Sequence, residues 1–255
     1  MKRILLVVAY DGTNYHGWQI QPNGNTIEAE LNLHLKQLLG ESIVVSGASR
    51  TDAGVHARCN LAVFDTNARI PGEKISFALN QRLPMDIRIQ NSMEVALDFH
   101  PRFVETVKTY RYQIYNAVFP SPVRRLYTHF VYHSLDIDRM KQAASFLVGE
   151  HDFKSFCSIH SEAESTVREI TGISVTRENE EICIEVRGKG FLYNMVRIIA
   201  GTLIEMGKGS MTPEEMQRIL DAEDRSEAGP TAPPNGLILW DYQIPSLPDF
   251  SIKSS

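Results

Sequence analysis

Cysteine is scarce in this 255-residue chain: Cys59, Cys157 and Cys183 are odd in number and far apart. They form neither a disulfide framework nor metal-ligand spacing, and read as packing residues. The eight histidines form no cluster with acids of the kind a metal site needs, so no metal is expected. Long apolar runs are missing too. Nothing approaches the roughly 18 residues of a membrane span. The opening run Met1-Lys2-Arg3-Ile4-Leu5-Leu6-Val7-Val8-Ala9-Tyr10 is too short for a signal peptide and is cut off by Asp11-Gly12. It reads as a first strand, and the protein is expected to be cytoplasmic with no membrane partner. An excess of positive charge is lacking as well, the net charge being −5. That weighs mildly against a nucleic-acid partner, although a local basic cleft can sit on an acidic body.

What is present is a globular composition, 43% hydrophobic and 22% charged, long enough for one large domain or two closely packed ones. Period-two runs predict strands at residues 3–10, 42–45, 60–64, 87–89, 107–116, 167–175, 181–186 and 236–240. Helices are predicted after Asn25, with Glu28 completing a capping box and Ile27, Leu31, Leu35, Leu38 and Leu39 as the apolar stripe. Others follow Pro71-Gly72, Asp136 and Thr212-Pro213, and one spans residues 191–206. Residues 151–164, rich in Ser and His, read as a loop. Strand, helix, strands, helix, strand, then nearly the same again, predicts α+β architecture. Two similar halves, residues 1–100 and 101–245, would share a mixed, mostly antiparallel central sheet, with a polar tail at 246–255.

The chain is organised around residues 46–57. Asp52 sits there in a turn of small residues between Gly47 and Gly54, with Arg50 and His56 on either side. Asp is an ordinary turn residue, but a turn that only reverses direction does not need Arg, Asp and His together. The chemistry points to a carboxylate in a cleft, acting as nucleophile or general base. His56 reads as a hydrogen-bond partner of the turn. The loop at residues 11–19 mixes aromatic, amide and imidazole groups, which suits either packing or holding RNA. Arg124-Arg125 suits a phosphate or plain solvation.

Residues 190–204 contain one charged group, Arg197. A helix apolar nearly all round is buried, and a buried arginine calls for an acid or an escape to water. Asp52, Glu185 and Glu205 all qualify as partner.

Arg50-Thr51-Asp52-Ala53-Gly54-Val55-His56-Ala57 resembles the catalytic motif of the TruA family of tRNA pseudouridine synthases. The likeness continues in family order through Tyr10-Asp11-Gly12, Gly17-Trp18-Gln19, Tyr110-Arg111-Tyr112, Gly149-Glu150-His151-Asp152-Phe153 and Phe191-Leu192-Tyr193-Asn194-Met195-Val196-Arg197. The resemblance implies isomerisation of uridine to pseudouridine at positions 38, 39 and 40 of the tRNA anticodon stem-loop. It implies Asp52 as the catalytic aspartate, Tyr110 stacked on the target base, Arg197 paired with the aspartate, and Arg50 on backbone phosphate. It further implies a homodimer, no cofactor or metal, helices on one face of the sheet and an RNA-binding cleft on the other. Ser49 stands where many members have Gly, which implies a local change only. The alternatives are a synthase acting on another RNA such as ribosomal RNA, or a non-catalytic RNA-binding module.

Overall fold

The computed structural model of the chain describes residues 1–159, 161, 163–245 and 247. Most of the predicted polar tail, and two residues of the loop expected at 151–164, lie outside the described residues. The chain forms two compact units. One is Met1–Thr106 with the residues from Leu239 onward, and the other is Val107–Ile238. Elements of the first are β1 (Lys2–Tyr10), α1 (Ile27–Leu39), β2 (Ser46–Gly47), β3 (His56–Thr66), α2 (Gly72–Asn80) and β4 (Ile87–Val95). The second contains β5 (Val107–Asn116), β6 (His129–Val131), α3 (Ile137–Ser145), β7 (Gly149–Asp152), β8 (Val167–Glu178), β9 (Glu181–Gly188), α4 (Met195–Lys208) and α5 (Glu215–Ala222). Strand β10 (Leu237–Gln243) brings its residues from Leu239 back to the first unit. The fold is therefore α+β, with ten strands, mixed and mostly antiparallel, and five α-helices among the described residues.

In the first unit the strands run β4-β1-β3-β10, and β2 pairs with β3. Ile4 to Val8 are all 0% exposed, so β1 is covered on both faces rather than half-solvated. The register pairs Lys2 with Thr66 and Val8 with Asn60, then slips so that Tyr10 pairs with Ala57. This bulge delivers the chain after Tyr10 directly beside the start of β3. On α1, Ile27, Leu31 and Leu35 are buried, one turn apart.

In the second unit the strands run β5-β9-β8-β7, with β6 parallel to β5. Tyr112, Ile114, Ile182, Ile184 and Val186 are each 0% exposed, and alternation puts them on one face of the β5–β9 pair. Eleven residues of α4 are buried, as its nearly all-apolar sequence requires.

Several local expectations give way to tertiary context. Thr26, not Asn25, caps α1, its side chain accepting from Ala29 N at 3.3 Å. Asn25 instead bonds Glu30, and Glu28 accepts from Ile20 N. The run at 42–45 is not a strand. Val45 N donates to the Asn32 side chain on α1 at 2.8 Å, so a side chain takes the place of a ladder partner. Helix α4 begins at Met195 rather than residue 191, because Asn194 adopts a left-handed φ of 61° that interrupts helical geometry. Residues 149–152 form β7 along the edge of β8, so His151 and Asp152, expected to begin the loop at 151–164, lie in a strand.

Candidate active site

The turn from Gly47 to His56 is held from four sides within the first unit. Asp52 O accepts from Val55 N at 3.1 Å. Gly54 supplies the positive φ, 76°, that the third position of this turn requires. Below it runs the loop that follows β1. Trp18 N donates to Thr51 O at 3.0 Å, and Gly54 N to Tyr15 O at 3.2 Å. Gly12 N donates to His56 Nδ1 at 3.1 Å. The contact is close enough that glycine is required. A Cβ at Gly12 would lie 2.0 Å from Val55 O, and one at Gly17 2.5 Å from Thr51 O. The aromatic loop at 11–19 is thus a packed platform for the turn. Trp18 is 1% exposed, and the Tyr15 hydroxyl donates to Asp86 at 2.7 Å. His56 is buried and serves as an acceptor for the Gly12 amide.

Behind the turn stands Asn60, 0% exposed. Its Oδ1 accepts from Ser49 N and Leu61 N at 3.3 and 2.9 Å, and its Nδ2 donates to Ser49 O and the Tyr10 hydroxyl at 3.0 and 3.2 Å. Every donor and acceptor site of the amide is used. The Tyr10 hydroxyl also shares a hydrogen bond with Thr51 Oγ1, 2.7 Å away. Burial pushes the Tyr10 phenol well above its usual range, and the nearby charge of Asp52 pushes the same way. Tyr10 is therefore a neutral strut and not a proton carrier at neutral pH. Asp52 itself is half-buried and Arg50 is exposed. Asn60→Ala leaves the Ser49 backbone unpaired and is expected to cost about 3 kcal/mol, measured by urea unfolding.

A further strap lies along β2. The Arg102 backbone N–H donates to His100 Nδ1 at 3.1 Å, which leaves the ring proton on Nε2 to meet Ser46 Oγ at 3.0 Å. Arg102 Nη2 donates to Gly47 O at 2.7 Å. Burial, then the charges of Arg102 and Arg3, lower the His100 pKa below its ordinary 6.5. A histidine whose folded pKa is depressed stabilises the fold fully above the unfolded value. That contribution fades as pH falls below about 6.5 and is gone below the folded pKa. His100→Gln is expected to flatten the dependence of Tm on pH in that acid window while leaving its shape above pH 7 unchanged.

Tyr110 and Arg197 lie in the second unit, and the same short segment serves both. Tyr110, 9% exposed, meets Phe191 edge-on with ring centroids 5.1 Å apart. Arg197 Nη1 donates to Asn194 Oδ1 at 2.8 Å, and its Nε to Ala232 O at 2.8 Å. The guanidinium is half-buried at the start of α4. Two of the acids that could serve it are committed elsewhere. Glu185 bonds Arg111 at 2.7 Å, and Glu205 bonds Lys208 at 2.8 Å. Arg124 forms an ion pair with Glu181 and lies over the Tyr115 ring, so its charge is already engaged.

Sequence comparison adds a separate line of evidence. The family model described as tRNA pseudouridine synthase matches residues 6–104 and again residues 143–245. The chain belongs to the tRNA pseudouridine synthase family. A protein named tRNA pseudouridine synthase A from Acetivibrio thermocellus is 48% identical over 239 residues, covering 94% of this chain and 98% of its own. Proteins of the same name from Brevibacillus brevis and Ruminiclostridium cellulolyticum are 48% and 49% identical, each over 94% of this chain and over 99% and 98% of their own lengths. Sequence reasoning misses Asn60, Tyr10 and His100 as supports of the Asp52 turn. The one available signal for Asn60 is an amide set in the apolar run Asn60-Leu61-Ala62-Val63-Phe64.

Proposed function

We propose that this protein converts uridine to pseudouridine at positions 38, 39 and 40 of the tRNA anticodon stem-loop, acting in the cytoplasm as a homodimer. Its family makes it an isomerase acting on tRNA. The observation that carries the assignment to Asp52 is its setting: a half-buried carboxylate on a turn whose neighbours are fixed by backbone bonds from the Tyr10 loop and by Asn60. Such a group is preorganised, so little reorganisation is needed when it reacts.

In the reaction the bond from ribose C1′ to uracil N1 breaks and a bond from C1′ to C5 forms. The C5 proton leaves and N1 gains one, so nothing is oxidised and water is not consumed. Asp52, ionised, attacks the ribose or the ring, or takes a proton. The uridine must leave its stack to be reached. Tyr110 supplies a replacement surface, a contact worth about 1–3 kcal/mol per base. Arg197 binds substrate from the second unit, and Arg50, exposed two residues before Asp52, meets backbone phosphate. Val118, Phe119 and Val123, 79%, 78% and 86% exposed on one loop, give the apolar surface that a second subunit would cover.

The test is an unmodified tRNA transcript with uridines at 38, 39 and 40, incubated with purified protein and mapped for pseudouridine. Conversion at those positions is the expected result. Conversion only of ribosomal RNA, or of tRNA elsewhere, overturns the assignment of the site.

A further inference from the structure

Arg102 lies outside the motifs that define the family resemblance, yet it is bonded to the strand that leads into the Asp52 turn. One of its nitrogens, Nη2, donates to Gly47 O at 2.7 Å. That leaves most of its five N–H donors unused, since a guanidinium can donate five, and the side chain is exposed. Arg50 lies three residues beyond Gly47 and is exposed too. Among the described residues no carboxylate forms an ion pair with either. This separates them from the ion-paired Arg3, Arg111 and Arg218. Arg3 is bonded to Asp65, Arg111 to Glu185, and Arg218 to Glu215 and Glu227. The bond anchors Arg102 to Gly47, three residues before Arg50 along the chain, and burial, then the charge of Arg50, lower the Arg102 pKa. An anion bound beside two like charges relieves their mutual repulsion.

We propose that Arg102 is a second substrate-binding residue, forming with Arg50 a phosphate-binding pair that grips the RNA backbone beside the target uridine. This deepens the function proposed above and rests on it. Guanidinium is the side-chain group best shaped for phosphate, offering paired donors in one plane. The strap fits the role. His100 and Gly47 hold both ends of the Arg102 residue, so little side-chain freedom is lost when a phosphate arrives. The bland alternative is that Arg102 only braces the Gly47 carbonyl.

The two are separated by the salt dependence of binding. Unmodified tRNA transcript is titrated against wild type, Arg102→Gln and Arg102→Lys at several salt concentrations. Gln can still donate to the Gly47 carbonyl but carries no charge. For a phosphate contact, Arg102→Gln weakens binding about tenfold at low salt, the loss of one charge-assisted bond. It also lowers the slope of log Kd against log salt by about one. Arg102→Lys keeps the slope, and Tm is the same in all three. An unchanged slope in Arg102→Gln overturns the proposal, and a fall in its Tm with that unchanged slope assigns Arg102 to bracing. Failure of the wild-type protein to form pseudouridine in the same transcript defeats the underlying functional reading instead, independently of the slope.

Discussion

Asp52→Asn is expected to lower kcat for pseudouridine formation by more than about 10⁴-fold, the scale on which removal of a reacting nucleophile acts. The substitution is nearly isosteric. It keeps the Asp52 backbone carbonyl that accepts from Val55 N and removes the negative charge. Tm should stay within about 2 °C of wild type, as for a nearly isosteric substitution at a half-buried position. Affinity for unmodified tRNA should stay within a few-fold, because Arg50 and Arg102, the proposed phosphate-binding residues, are untouched. Single-turnover assays with mapped product, beside a filter-binding titration, measure both quantities. Substantial pseudouridine from the Asn variant would falsify the catalytic assignment. Loss of binding in step with loss of product would make Asp52 a recognition residue.

The second large effect is expected at Gly12. Alanine there places a Cβ 2.0 Å from Val55 O and 2.7 Å from Val55 C. Both are backbone atoms of the Asp52 turn, so no side chain can swing aside to make room. Gly12→Ala should destabilise the protein by about 3 kcal/mol, the upper range for overpacking. For a chain of this size that corresponds to a fall in Tm of about 6–12 °C. Turnover at saturating tRNA should fall too, since the clash moves the turn that carries Asp52. Gly40→Ala is the control. Gly40, unlike Gly12, has a positive φ, 70°, but its Cβ would meet nothing within 4 Å. It should cost only the left-handed penalty of about 1–2 kcal/mol, with turnover intact. A Gly12→Ala protein of normal stability and normal kcat, but weak tRNA affinity, would instead make residues 11–19 an RNA-binding loop.

Much of the fold is legible because it rests on local periodicity. Alternation marks β5, with Tyr110, Tyr112 and Ile114 on one face, and the structure buries all three. Asp136 before an amphipathic run marks the cap of α3, and its carboxylate accepts from Asp138 N and Arg139 N. Asn179 marks the β8–β9 turn and takes a positive φ of 55°. Where two local signals competed, contacts decided. Asn25 and Thr26 both suit a cap, and tertiary bonds to Glu30 and Ile20 removed Asn25 and Glu28 from that task.

The candidate site divides in the same way. The motif around Asp52 is contiguous, so its residue types, small, cationic and acidic, can be read together. Its supports are not contiguous. Asn60 reaches Tyr10 across 50 positions, and Arg102 reaches Gly47 across 55. Sequence by itself indicated most of the strands and helices, a candidate carboxylate at Asp52, and the family to which the chain's motifs are similar. Only the tertiary structure decided that β10 returns to the first unit from Leu239. It also decided that the aromatic loop is a platform, and that Arg102 is bonded to Gly47, three residues before Arg50. The physical reason is that local patterning encodes burial and backbone conformation. Hydrogen bonds and charge balance between distant residues depend on register and loop packing, which no short window of sequence contains.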